Sequence, residues 1–209
     1  MERYFDELNT SEQKILSTPF QEYFWDMDLS EKQIEERIAL SEDLEEVMLF
    51  LLILIGMMKQ NDSIDAEYAA YQLSEQCKNV VSRHIPMDAE LNRHIDLFAQ
   101  ETVRTTIDNI EDEWFLSRDR ATLIAENEAQ SNCNYADYSA ALKSGKTRKQ
   151  WVDVRDRRER ETHREVGGTV IPIEDTFVVG NSLMRFAKDS SMGAEMKEIA
   201  NCRCSVKYF

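Results

Sequence analysis

The first clear helical pattern begins at residue 31. "EKQIEERIALSEDLEEVMLFLLILIGMMKQ" repeats apolar residues near helical spacing, and Ser30 with Gln33 three positions later forms an N-cap signal. A second helical pattern runs from Ser63 until Pro86 stops it. Met87 to Leu142 contains neither glycine nor proline and predicts two helices with a break between Asn109 and Asp119. The texture changes at Lys143. A glycine-containing basic loop, residues 143–149, leads into "KQWVDV", which reads as a short strand. "DRRERETHREV" reads as a short helix with Asp156 as N-cap and Glu159 completing a capping-box pair, ended by Gly167 and Gly168. "TVIPIEDTFVVG", broken by Pro172, predicts one or two strands, and "NSLMRF" another. The last stretch alternates, with Cys202, Cys204, Val206 and Tyr208 on one face and Arg203, Ser205 and Lys207 on the other. The expected class is α+β: a mostly helical N-terminal body, residues 1–117, carrying a small C-terminal α+β module of short strands and one short helix, residues 118–209.

Charge divides the chain in a similar way. Met1 to Glu113 holds 26 acidic and 9 basic residues, and the remainder 14 acidic and 16 basic, within a net charge of -15. An acidic half beside a basic segment implies two regions with different partners and excludes a free-standing DNA-binding protein, while leaving room for a local phosphate contact. The most apolar run, Val47 to Met58, is shorter than the roughly 20 residues a bilayer helix needs. It reads as a buried helix or a helix–helix interface, with no membrane span. Without a secretory signal pattern, the four cysteines are expected in a reducing compartment. Cys77 is expected in the core, and His84 and His94 at the surface.

An ordered set of residues narrows the reading further. Trp151 is followed by Asp156, Arg158, Arg160 and His163, then Gly168, an apolar strand with Phe177, and a terminal Asn201-Cys202-Arg203-Cys204. Upstream, Ala125 and Glu128 form an Ala-x-x-Glu pair on a helix. In this order the pieces resemble the phage Mu F-like family of minor head proteins, also called head morphogenesis proteins, over roughly residues 118–209. The chain departs from the pattern at Glu126, where relatives often carry arginine, and at Ala187-Lys188, where they often carry Pro-Gly.

The resemblance implies a non-enzymatic minor head protein of a tailed bacteriophage. It would be present in low copy at the portal vertex, and act in head morphogenesis and the handling of packaged DNA. The implied partners are the portal protein, the major capsid or scaffolding protein, and double-stranded DNA. The implied location is the virion interior near the portal, with the host cytoplasm during assembly. In some relatives the module precedes a toxin domain; no such cargo is expected here, because the chain ends just past the Asn-Cys-Arg-Cys stretch. The alternative is a nucleic-acid-processing enzyme or effector delivered with the phage genome.

Three chemical readings remain open for the motif. If Asp156, Arg160 and His163 share a helix face, they form an N-cap and a buried network that meets carboxylates such as Glu128. His163, Cys202 and Cys204 would instead hold zinc, with Asp156 or Cys133 as fourth ligand. A third reading makes His163 a general base beside phosphate-binding arginines. A disulfide between Cys202 and Cys204 would be strained. Outside the motif, Lys146, Arg148, Lys149, Arg155 and Arg157 are expected to be exposed and to contact DNA phosphates or an acidic surface.

Overall fold

The computed structural model describes Phe24 and residues 27–209. The start of the acidic body, residues 1–23, lies outside the described residues, as do residues 25 and 26. Four long helices follow: α1 (Glu31–Gln60), α2 (Ala66–His84), α3 (Ala89–Asp108) and α4 (Arg118–Lys143), with a single 3₁₀ turn at Glu113–Leu116. Ser30 and Gln33 close a reciprocal capping box on α1, as their spacing predicts, and Asp65 and Asp88 cap α2 and α3. The predicted break between α3 and α4 is present.

Leu40, Leu44, Met48, Leu51 and Ile55 form one fully buried face of α1. They join Leu73, Cys77 and Val81 of α2, Ile95, Ala99 and Val103 of α3, and Ala121, Ala125 and Ala129 of α4 in one core. Three alanines at four-residue spacing leave α4 a smooth face, on which α1 packs. The apolar run of α1 is covered on one side only. The run forms the expected helix–helix interface on one side, while Phe50, Ile53 and Met57 are 47%, 63% and 55% exposed on the other. Among the described residues, no helix is long and apolar enough to cross a membrane.

The C-terminal module is a three-stranded antiparallel sheet in the order β2 (Val170–Pro172), β1 (Arg148–Val152), β5 (Ser205–Tyr208). Trp151 lies opposite Val206 across the β1–β5 pair. Strands β3 (Phe177–Val179) and β4 (Ser182–Met184) form a separate hairpin. Its two-residue turn starts at Gly180 with φ +57°, a left-handed position that suits glycine. Two short helices complete the module: α5 (Glu161–Val166) and α6 (Met196–Ile199). The overall class is α+β, as expected.

One local expectation is corrected. Helix α5 begins at Glu161, its N-cap residue is Arg160, and no side chain caps it. Asp156 lies five residues upstream of Glu161, in a turn where its carboxylate accepts the Arg158 backbone N–H and pairs with Arg203. The carboxylate meets its partners before a helix starts, so Asp156, Arg158 and Arg160 share no helix face with His163. The helix ends as predicted, with left-handed Gly168 following Gly167.

Neighbouring positions on α1 provide a test of this packing. Leu52 is buried and Ile53 is exposed. Leu52→Asp is expected to destabilise the fold by several kcal/mol, because an unpaired carboxylate enters apolar surroundings. Ile53→Asp should stay within about 0.5 kcal/mol of the parent in denaturant unfolding.

Candidate functional site

A polar stripe of α4 fastens the module to the body, beside an apolar cluster of Tyr138, Ala141, Ile173 and Phe186. Asn127, Gln130, Ser131 and Asn134 recur at helical spacing on the side away from the alanines. Asn127 and Asn201 bond reciprocally: Asn127 Nδ2 donates to Asn201 Oδ1 at 2.9 Å, and the Asn201 backbone N–H donates to Asn127 Oδ1 at 2.8 Å. Asn201 holds a left-handed φ of +53°, tolerable for asparagine, and this turns the chain into Cys202. Both the side chain and the backbone N–H of Asn201 are thus held by one residue of α4. Gln130 donates to the Cys204 carbonyl, Ser131 to that of Lys188, and Asn134 to that of Ala187.

This anchoring brings the motif's distant ends together. His163 projects inward from α5 and is 2% exposed. Its Nδ1 faces Cys204 Sγ at 3.4 Å and Cys202 Sγ at 3.5 Å. Its Nε2 lies 3.1 Å from Glu198 Oε2, which also accepts from Thr162 Oγ1 at 2.8 Å. An ionised carboxylate only accepts hydrogen bonds, so Nε2 carries the proton and Nδ1 is turned to the sulfurs. Trp151 is fully buried and packs edge-on to His163 at 5.9 Å and to Phe177 at 5.2 Å between centroids. The three ligand-type atoms of His163, Cys202 and Cys204 all lie within 4.8 Å of one another.

Electrostatics separate the two thiols. A hydrogen bond from Cys204 holds the Cys202 thiol well below its usual range, burial opposes this, and His163 adds to the lowering. Cys204 is pushed up by that hydrogen bond and by burial. Burial works against charge on His163, but the bond and charge of Cys202 override it and raise its pKa. Of the two, Cys202 is therefore the more acidic thiol and Cys204 the less acidic one.

Arg160 donates to the Ala200 carbonyl just before the cysteines. Arg203 is 8% exposed and meets Asp156 at 2.7 Å. Cys133 belongs to the helical core. Asp156 is engaged by Arg203, so neither proposed fourth ligand joins the sulfur cluster. Glu128 points away from the motif and bonds His94 Nε2 at 2.8 Å. His94 is therefore a half-buried ion-pair residue, whereas His84 lies at the surface against Asp43.

The basic set divides. Lys146, Arg148, Arg155 and Arg157 are exposed, with Arg155 beside Asp153. Lys149 is fully buried, which corrects its expected exposure. Its ammonium donates to the Arg185 carbonyl at 2.6 Å and lies over the Tyr138 and Phe177 rings. Burial lowers its pKa to about 8. The alternation of β1 places Lys149 and Trp151 together on the inward face. Arg185 fastens the following loop, bonding Asp189 at 2.8 Å and reaching Glu90 at the start of α3.

Several residues of this network escaped the sequence reading: Asn127, Gln130, Lys188 and Glu198. The polar stripe at helical spacing was a usable signal for the first two. Lys188 is fully buried and donates to Asn127 Oδ1. Glu198 gave no local sign, because its partners lie on α5, and Glu159, read as a capping partner, instead accepts from Arg164.

A helical body with a small antiparallel module closed over a His/Cys cluster defines a mixed α+β protein built around an internal polar network. The family model described as Phage Mu protein F like protein matches residues 97–207, a little over half of the chain, and the chain belongs to that family. The match extends back from Arg118 into α3. The chain is thereby a bacteriophage head morphogenesis protein, which belongs in the virion among other head proteins. No curated protein and no solved structure matches it.

The His94–Glu128 pair makes a pH prediction. Burial disfavours charge on His94, but Glu128, with Asp189 and Glu90, overrides it and raises its pKa. A raised folded-state pKa contributes stability that is fully present below the unfolded value of about 6.5 and is lost as pH rises through the folded value. His94→Gln should therefore cost more stability at about pH 5.5 than at about pH 8.5. Denaturant unfolding of both proteins at the two pH values checks this; an equal deficit at both would remove the charge from the pair.

Proposed function

We propose that this protein is a low-copy minor head protein that works at the portal vertex, in head assembly and in the handling of packaged DNA. Membership of the Phage Mu protein F like family is the observation that carries this reading. On it, the protein passes through the host cytoplasm during assembly and then lies inside the head.

The helical body supplies the contact with the portal protein. Phe50, Ile53 and Met57 recur at helical spacing as an exposed apolar stripe on an otherwise acidic body. A surface of this kind supports docking on another head protein. Lys146 and Arg148 stand at the start of β1, and Arg155 and Arg157 follow beyond its end, so the strand lies between the two pairs. Two separated pairs of cations suit contact with a phosphate backbone better than a single compact anion site.

A genome-delivered nucleic-acid-processing enzyme is less well supported. The histidine it would use as general base is buried, with Nε2 against Glu198 and Nδ1 against two sulfurs. A base needs a free nitrogen within reach of a substrate proton.

Ile53→Asp combined with Met57→Asp should leave the fold intact and abolish incorporation into heads, read as protein per purified procapsid. Normal incorporation would remove the stripe as the docking surface. Lys146→Glu with Arg148→Glu should weaken association with double-stranded DNA and flatten its salt dependence by about two units of log–log slope. An unchanged slope would mean these cations only solvate the surface. Nuclease activity of the purified parent, lost in His163→Ala, would favour the enzyme reading.

A further inference from the structure

We infer that His163 Nδ1, Cys202 and Cys204 form a structural zinc site, closed on its fourth side by the carboxylate of Glu159. This inference is independent of the portal and DNA assignments.

Distance is the first argument. With Zn–S of about 2.3 Å and Zn–N of about 2.0–2.1 Å, tetrahedral coordination sets nitrogen and sulfur ligands about 3.5 Å apart. His163 Nδ1 stands 3.4 and 3.5 Å from the two sulfurs, so these atoms already span edges of such a tetrahedron. The surroundings are equally suited. Glu198 holds the proton on Nε2 at 3.1 Å and is itself held by Thr162, the carboxylate–histidine arrangement that orients metal-bound imidazoles. The cysteines follow one another at i and i+2, which brings both sulfurs to the same side of an extended segment.

The fourth side is a cavity of about 20 Å³ lined by His163, Cys202, Cys204, Glu159 and three arginines, Arg158, Arg160 and Arg203. It is large enough for a single small ligand atom group. The Glu159 side chain is 3% exposed, and its Oε1 is buried without a hydrogen-bond partner, while Oε2 meets Arg164 at 3.4 Å. A buried carboxylate oxygen without a partner is costly, and Glu159 is among the residues that line this cavity, outside the 4.8 Å cluster of the other three. Side-chain rotation toward the sulfurs would satisfy it. The buried Trp151 indole N–H faces the Cys204 sulfur and would donate to a metal-bound thiolate there. Zinc binding would release the thiol protons of the two cysteines, leaving two thiolates, one imidazole and one carboxylate around the ion. The excess negative charge would lie among Lys188 and the surrounding arginines.

The test begins with the full chain purified under reducing conditions without chelator. One zinc per chain by elemental mass spectrometry is expected. Replacing zinc with cobalt should produce a thiolate-to-cobalt charge-transfer band and tetrahedral d–d bands. Cys202→Ser and His163→Gln should lose the metal, whereas Cys133→Ala, whose sulfur lies in the helical core, should retain it. Glu198→Gln should weaken zinc binding by about 10–100-fold through the imidazole it orients. Glu159→Gln should weaken binding by at least about tenfold and alter the d–d bands; unchanged affinity and spectrum would overturn the place of Glu159. If the cysteine variants fail to fold, the parent still decides the matter. Chelator-treated parent that regains its thermal midpoint shift and thiol protection on adding zinc supports the site. A parent that takes up neither zinc nor cobalt overturns it.

Discussion

Asn127, Gln130, Ser131 and Asn134 hold the C-terminal module in place from a single stripe of α4. Each meets a backbone group of the segments 187–188 or 201–204, or in one case both the backbone and side chain of Asn201. These segments are short and irregular, and they cannot satisfy their own buried amides and carbonyls. Each bond contributes only about 0.5–1.5 kcal/mol net, but a buried group left without one costs more. The opposite face of α4 is alanine and packs in the helical core. One helix thus joins an apolar body to a polar module, and the position of the cysteines depends on it.

The module itself uses few large apolar residues. Trp151, Phe177, Val179 and Met184 form a small cluster, into which Cys202 and Cys204 fit. Around it, Lys149, Lys188 and Arg203 are buried and engage carbonyls, an amide or a carboxylate. Replacing buried ionic groups with apolar ones often stabilises a protein, so such groups are poor sources of net stability. Their effect here is directional. Arg160 to Ala200 and Arg203 to Asp156 set the approach of the terminal segment to α5, and Arg185 with Asp189 and Glu90 sets the loop before it. A small module with such demands would benefit from a cross-link, which the proposed zinc would supply.

The two halves of the molecule also differ in what they present outward. The helical body is acidic and exposes Phe50, Ile53 and Met57. The module exposes Lys146, Arg148 and Arg157, while its chemically distinctive residues face inward. A protein whose reactive groups are enclosed and whose outer surfaces differ in charge is suited to bridging components of a particle.

Sequence by itself determined the elements whose causes are local. The capping box at Ser30, the stop at Pro86, the break between α3 and α4, the strand at Trp151 and the left-handed Gly168 each follow from residues within a few positions of one another. It also carried the ordered motif that identified the family. The cysteines are buried as their alternation suggests, but they precede β5, and Arg203 and Ser205, read onto the opposite face, are buried with them. Tertiary structure alone decided the rest. Lys149 reads as one more cation in a basic loop until the rings of Tyr138 and Phe177 and the Arg185 carbonyl enclose it. Asp156 reads as a helix cap until Arg203, 47 residues away, engages it in a turn. Glu128 belongs to the motif by spacing but pairs with His94 of α3, 34 residues away. Helix periodicity states which residues share a face; only packing states what that face meets.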